Sequence, residues 1–323
     1  VRAFVTGISG FVGGHLTEHL LECGDQVVGV SASGRFPASL AHLSRSARIE
    51  PIDLTDVDPE AFADLIRRKH PQAVYHLAAQ SNPRASVDDP RGTWALNLGG
   101  TLNLLSAVRD AGLSPTPRVV LVGSGVCYGN PPPDQIPVSE SCPSRPNNPY
   151  SASKAAADLL GIQMHLSDGL DVVITRPFNH AGPRQSPRYV LASLAEQVAE
   201  VEAGLKDAVE VGDLDVVRDY TDVRDVVRAY RLLAEAGTPG EIYNLGTGRG
   251  LKLTDALETF RSLAARPVEV RVDPARVRAV DLPYLVADAS KLREAVGWEP
   301  RVPIEQTLAD MLEDARARVA SRR

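Results

Sequence analysis

Cysteine is nearly missing from this chain, and that scarcity is the first constraint. Only Cys23, Cys127 and Cys142 occur in 323 residues. An odd, sparse set offers no disulfide framework and points to a reducing, cytoplasmic setting. No Cys/His spacing suggests zinc, so no metal is expected. Long apolar runs are missing too, which excludes a membrane-spanning helix, and Val1 is read as opening directly into a strand rather than a leader. Charge of one sign is not concentrated. The formal net charge is -6 with Lys and Arg scattered, so no basic face is offered to nucleic acid or anionic lipid. No internal repeat is found. The one biased tract is residues 129–149, whose seven prolines fit a rigid wall beside a cleft. The length suits one large domain with insertions or two domains sharing a cleft.

What is present concentrates first around residues 119–154. Val119-Val120-Leu121-Val122-Gly123-Ser124 reads as a continuous apolar strand that delivers Ser124 at its carboxyl end, where open parallel sheets bind ligands. Asn148-Pro149 reads as a helix start, with Asn as cap and Pro in the first turn. Tyr150 and Lys154 then share one face of that helix, one turn apart. A free tyrosine has a pKa near ~10, a catalytic acid works best near ~7, and the gap is about 4 kcal/mol. A lysine charge ~5 Å away supplies on the order of 3 kcal/mol at an effective dielectric of ~20. The expectation is that Lys154 acidifies Tyr150 into a proton donor for a carbonyl. The plain alternative is a surface tyrosine, a solvated lysine and a turn serine.

The amino-terminal region has a second pattern. Arg2 to Thr6 reads as a buried strand, His15 to Cys23 as an amphipathic helix closed by Gly24, and Gln26 to Ser31 as a second strand. Gly7, Gly10 and Gly13 lie between strand and helix, where glycines allow a tight turn, approach to a pyrophosphate and close helix packing. A tight turn without a ligand is the plain alternative. The second strand ends in Ser31-Ala32-Ser33-Gly34-Arg35 with no acid for a ribose 2′-hydroxyl. Ser33 and Arg35 could hold a 2′-phosphate, so NADP(H) is preferred and NAD(H) remains possible; Arg35 could equally be solvated.

Gly-x-x-Gly-x-x-Gly followed by Ser124 and Tyr-x-x-x-Lys resembles the extended short-chain dehydrogenase/reductase superfamily, the NAD-dependent epimerase/dehydratase family that acts on nucleotide sugars. The resemblance implies an α/β fold: a Rossmann-type doubly wound parallel sheet with a smaller α/β substrate-binding lobe. The dinucleotide-binding domain would use residues 1–178 and 216–250, and the nucleotide-sugar lobe 179–215 and 251–323. It implies cofactor contacts at Gly7, Gly10, Phe11, Val12, Gly13 and Ser31. Asp53 and Leu54, at the end of a third strand, would hold the adenine. Leu77, Ala78, Ala79 and Ser81, after a fourth, would line the coenzyme, with Pro177 and His180 near the nicotinamide. Ser124 would bind the substrate carbonyl, Tyr150 protonate it, and Lys154 hold the nicotinamide ribose. Asn97 would shape the active site.

The substrate side narrows the resemblance. Dehydratases of this kind place acids directly after the serine or threonine, whereas Gly125 and Val126 cannot move a proton. Phe178-Asn179-His180-Ala181-Gly182-Pro183, with residues 212–225, looks like the GDP-4-keto-6-deoxymannose reductases. That likeness implies substrate contacts at Ser81, Ser124, Asn179, Val190 and Arg218, the last as a diphosphate ligand. An ion pair of Arg218 with Asp215 or Asp219 is its alternative. Arg278 and Asp281 resemble a second phosphate and ribose element more loosely. The likeness runs on to Gly297-Trp298 and Pro300 before a final amphipathic helix. Helices near Asn97–Val108 and Tyr150–Leu166 imply a homodimer through a four-helix bundle. The expected reaction is reduction of the 4-keto group of a nucleotide-linked 6-deoxyhexose, GDP-4-keto-6-deoxy-D-mannose to GDP-D-rhamnose. Its rivals are a 4-epimerase with tightly held NAD, a 4,6-dehydratase, and a non-catalytic dinucleotide sensor.

Overall fold

A computed structural model of the chain describes residues 1–276 and 284–322. In chain order the first half runs β1 (Arg2–Thr6), α1 (Phe11–Glu22), β2 (Gln26–Ser31), β3 (Ala47–Pro51), α2 (Pro59–Lys69), β4 (Ala73–His76), α3 (Pro83–Asp88), α4 (Pro90–Trp94), α5 (Gly100–Asp110), β5 (Arg118–Val122), α6 (Pro149–Asp168) and β6 (Val172–Pro177). The second half runs β7 (Asn179–Ala181), α7 (Val190–Glu202), β8 (Ala208–Val211), β9 (Val217–Asp222), α8 (Val223–Ala236), β10 (Ile242–Leu245), β11 (Gly250–Lys252), α9 (Leu253–Leu263), β12 (Glu269–Val272), β13 (Tyr284–Leu285), α10 (Ser290–Val296) and α11 (Ile304–Ala320).

Seven strands form one parallel sheet in the order β10-β6-β5-β4-β1-β2-β3. This is the Rossmann-type arrangement. Both faces are covered, which is why β5 is apolar from Val119 through Val122 rather than at alternate positions. Val120 packs with Leu16 and Leu20 of α1 and Val226, Tyr230 and Leu233 of α8. Val119 and Leu121 point the other way, into a cluster with Phe62 of α2, Leu104 of α5 and Met164 of α6. The chain leaves β1 toward β2 and β3, then returns to β1's other side with β4. That reversal opens a crevice at the carboxyl ends of β1 and β4.

A second core lies away from the sheet. Leu191, Leu194 and Val198 of α7 meet Leu257 and Phe260 of α9 and Leu308, Met311 and Leu312 of α11. β9 pairs with β7, β11 and β13, so Val217–Asp222 belongs to this smaller sheet rather than to the large one expected from residue 216 on. α8 and β10 then rejoin the large sheet. The chain thus crosses between the two layers at 178–179, 222–223 and 245–250, and the crevice lies beside those crossings. Among the described residues no helix is long and apolar enough to cross a membrane.

Candidate active site

At the amino-terminal end of the crevice the backbone does the building. Gly7 has φ +69, and a Cβ there would sit 2.8 Å from the Ala78 nitrogen. A Cβ on Gly13 would fall 2.2 Å from the Gly7 carbonyl oxygen. α1 starts at Phe11, four residues before the helical pattern of the sequence, because Gly13 and Gly14 are already helical and buried. Its Gly10 cap carries no side chain to bond the first-turn N–H groups, and no acid lies in that turn. Phe11, Val12 and Gly13 therefore present an uncapped, electropositive helix end, which fits a dinucleotide diphosphate. The loop leaving β4 closes the other wall: the Leu77 and Ala78 N–H groups donate to the Thr6 carbonyl and Oγ1, and Ala79 is half-buried beside them.

Toward the expected ribose end, β2 finishes in a turn in which Gly34 N–H donates to Ser31 O (3.1 Å) and Ser33 Oγ donates to Arg35 O (3.1 Å). Arg35 is exposed and makes no ion pair among the described residues. No acid occupies the end of β2. Asp53 lies two residues beyond β3, and its carboxylate accepts from Thr55 N–H (2.9 Å) and Oγ1 (2.7 Å). Those bonds hold it below the usual carboxylate range. Leu54 is buried against Gly100.

The reacting end is built from side chains instead. Asn148 and Ser151 form a reciprocal capping box that fixes the start of α6. Tyr150, Lys154 and Asp158 then fall on one buried face, spaced by single turns. Ser124, at the carboxyl end of β5, is close enough to Tyr150 to favour its ionised form. The Lys154 ammonium donates to the Val122 carbonyl at 2.7 Å. The structure corrects the expected electrostatics. Burial pushes Tyr150 up to about 12, and the neighbouring Ser124 pulls the other way. Lys154 is lowered to about 8, again by burial. The ammonium is directed at a strand carbonyl, and a few kcal/mol of attraction at a distance does not match full desolvation.

Behind the pair lies a group the sequence reasoning passed over. Asp158 accepts from Arg176 Nε at 2.8 Å, the guanidinium lies 4.9 Å from the centre of the Tyr128 ring, and Tyr128 Oη donates to Asn244 at 2.7 Å. Four-residue spacing from Lys154 was the available signal, since it puts Asp158 on the face already assigned to chemistry. Asn97 is buried in a π-helical turn between α4 and α5, donating to Ser153 Oγ (2.9 Å) and exchanging two bonds with the backbone of Gln80. Gly125 faces Phe178 so closely that a Cβ would lie 2.5 Å from the ring. Cys127 is fully buried, its thiol pushed up to about 12 by burial, and it packs with Tyr128, Val138 and Phe178. Val138, from the proline-rich tract, bonds Val286 O and so ties that tract to the smaller layer.

On the substrate side, Pro177 ends β6, and Asn179 and His180 follow on β7, both half-buried. The His180 ring stacks on Phe11 with centroids 6.2 Å apart, bringing this segment against the glycine turn. Val190 opens α7 and is exposed. Arg218 is half-buried on β9. Its two suspected acidic partners are engaged elsewhere: Asp215 with Lys252, and Asp219 with the N–H groups of Thr247, Gly248 and Ala287. Arg278 and Asp281 lie outside the described residues. Tyr189, not singled out from the sequence, reaches Ser81 across the cleft.

Comparison with known proteins agrees with this geometry. A family model described as GDP-mannose 4,6 dehydratase matches residues 4–311. The GDP-6-deoxy-D-mannose reductase of Pseudomonas aeruginosa is 37% identical over 320 residues, covering 98% of each chain. A solved structure of RMD from Pseudomonas aeruginosa complexed with NADPH superposes with TM-score 0.83 at 35% identity, over 98% of this chain and 99% of that one. The UDP-glucose 4-epimerase of Thermus thermophilus in complex with NAD gives TM-score 0.86 at 32% identity, over 98% and 99%.

Proposed function

Since the chain belongs to the GDP-mannose 4,6-dehydratase family, within the extended short-chain dehydrogenases/reductases, we propose that it reduces a 4-keto nucleotide sugar, GDP-4-keto-6-deoxy-D-mannose to GDP-D-rhamnose. It is an oxidoreductase-type enzyme with a nicotinamide dinucleotide as coenzyme and a nucleotide sugar as substrate. Among coenzymes, NADP(H) is the proposed choice: no acid stands at the end of β2 to meet a 2′-hydroxyl, and Ser31, Ser33 and Arg35 in that turn could donate to a 2′-phosphate.

The observation that carries the reading is the buried face of α6 that brings Tyr150 and Lys154 together beside Ser124 at the carboxyl end of β5. Gly7, Gly10, Phe11, Val12 and Gly13 hold the coenzyme diphosphate, and Lys154 its nicotinamide ribose. When bound, that coenzyme supplies the hydride that C4 of the sugar gains. Ser124 orients the carbonyl, Tyr150 passes its proton to the oxygen, and a solvent proton restores the phenol. Arg218 and Asn179 hold the sugar diphosphate. The likeness to the GDP-6-deoxy-D-mannose reductase favours reduction over epimerisation. Dehydration needs acids beside Ser124, and Phe178 leaves no room for one at position 125.

Supplying the purified protein with a panel of 4-keto nucleotide sugars, with NADPH and NADH followed in parallel, tests this. Stoichiometric NADPH oxidation with the GDP-linked substrate is expected. Coenzyme retained through gel filtration, with C4 epimers exchanging and no net oxidation, would establish the epimerase instead. Trp94, Leu102, Leu159 and Leu166 leave 38%, 46%, 67% and 78% of their surfaces exposed on α4, α5 and α6. That apolar face supports a homodimer through a four-helix bundle. The free cysteines fit a reducing, cytoplasmic location.

A further inference from the structure

Two hydroxyl groups meet across the cleft, and the reaction above gives their contact no task. Tyr189 stands at the start of α7, on the smaller layer, and Ser81 on the loop leaving β4. Although 108 positions apart, their hydroxyls lie 2.8 Å from each other. Ser81 is exposed and Tyr189 half-buried, so the pair faces solvent rather than the core. The Tyr189 backbone is fixed on both sides: its N–H donates to Ser186 O at 3.0 Å, and its carbonyl accepts from Ser193 N–H at 2.8 Å. The phenol also lies within electrostatic reach of Tyr150.

The chemistry of the pair selects its ligand. A neutral hydroxyl both donates and accepts, so two of them bonded together can exchange that bond for bonds to a third hydroxyl, leaving nothing unsatisfied. Neither carries charge, so nothing in the pair favours a diphosphate over a neutral hydroxyl. The phenyl ring adds an apolar face of the kind a pyranose C–H face covers. We propose, resting on the reductase reading, that Tyr189 is a substrate-positioning residue. With Ser81 it grips a hexose hydroxyl next to the keto carbon, their mutual bond opening as the sugar enters. Tyr189 would thus hold C4 in front of Tyr150 without moving a proton itself.

Steady-state kinetics of Tyr189→Phe and Ser81→Ala with the GDP-linked 4-keto sugar test this. Each variant should raise KM about 3–10-fold with kcat within twofold, as expected for one lost hydrogen bond. Tyr189→Phe should bind NADPH as the wild type does. The double variant should lose less than the product of the single losses, because both hydroxyls serve one sugar group. A substrate analogue deoxygenated beside C4 should cost the wild type the same factor and Tyr189→Phe nothing more. An unchanged KM, or a fall in kcat at constant KM, would overturn the proposal. Should the wild type oxidise no NADPH with any 4-keto sugar, the reductase reading fails separately. Calorimetry then still decides: Tyr189→Phe must weaken GDP-mannose binding while leaving GDP binding intact, and equal losses for both would end the idea.

Discussion

The two ends of the cleft are made of different material. The diphosphate end is backbone: a left-handed Gly7, a Gly13 whose missing Cβ leaves the Gly7 carbonyl its space, and an uncapped helix start. The reacting end is side chain: Tyr150, Lys154 and Asp158 on one buried face, with charge states set by desolvation. The first kind of site depends on local sterics and tolerates no added atom. The second depends on what the whole fold excludes from water, and it tolerates changes of shape better than changes of polarity. Substitutions at the two ends should therefore fail in different ways.

The largest effect should come from Tyr150→Phe, which keeps the ring and removes the proton. kcat should fall about 10²–10⁴-fold, while NADPH binding, followed by fluorescence, stays as it was. Retained turnover would mean that the side-chain end is not where the proton comes from. Gly13→Ala is the counterpart at the backbone end. Its methyl must displace the Gly7 carbonyl, at roughly 1–3 kcal/mol, read as NADPH binding weakened by about ten- to a hundredfold. Gly99→Ala provides the control, because no atom lies within 4 Å of its Cβ. It should bind NADPH normally and gain some helix stability.

The same contrast explains what could be read from the sequence. Glycines at 7, 10 and 13 after an apolar strand were legible because steric demand is written in adjacent residues. So was the face shared by Tyr150 and Lys154, which follows from a short periodicity, whereas the doubly wound parallel sheet was implied by the resemblance. The protonation of Tyr150 was not legible, because burial is a property of the assembled fold and outweighed the neighbouring lysine. The Ser81–Tyr189 contact spans 108 positions and leaves no local trace. Residues 216–222 were expected in the large sheet, because a short strand does not announce its partners. Gly125 was noticed for its missing acid, whereas the Phe178 contact that keeps it glycine comes from between β6 and β7.

A smaller effect separates charge from shape at the reacting end. Lys154, lowered to about 8, is charged below that value and neutral above it. If its charge serves the reaction, kcat/KM should be flat on the acid side of about 8 and fall as pH rises through it. Asp158 is the group that raises Lys154 against the pull of burial. Asp158→Asn should therefore move the alkaline limb to lower pH, with a loss of a few-fold at pH 7.5. It also leaves Arg176 buried without its carboxylate, so stability should drop by about 3–5 kcal/mol if the pair breaks cleanly. A pH profile that does not move would show that Lys154 acts through its hydrogen bond to Val122 alone.

The smallest effect falls at Arg184, where backbone and side-chain logic coincide. It is a non-glycine residue at φ 70, so its conformation is strained. Its guanidinium meets both Glu18 oxygens at 2.6 Å and lies against His15, while its N–H donates to Asp314 at 2.8 Å. These bonds staple α1 of the large sheet to α11 of the smaller layer. Arg184→Ala removes the guanidinium contacts to α1, leaves the backbone N–H bond to Asp314 and keeps a Cβ in the left-handed region. Arg184→Gly removes the same contacts and relieves that strain. If packing between the layers holds the bend, the alanine variant should be less stable by about 1 kcal/mol in urea unfolding, since a Cβ at positive φ costs more than glycine's added chain freedom. If instead the staple itself forces the bend, the loop relaxes in both variants and alanine matches or exceeds glycine. The sign of that difference decides whether the side chain imposes the backbone here, or the backbone presents the side chain.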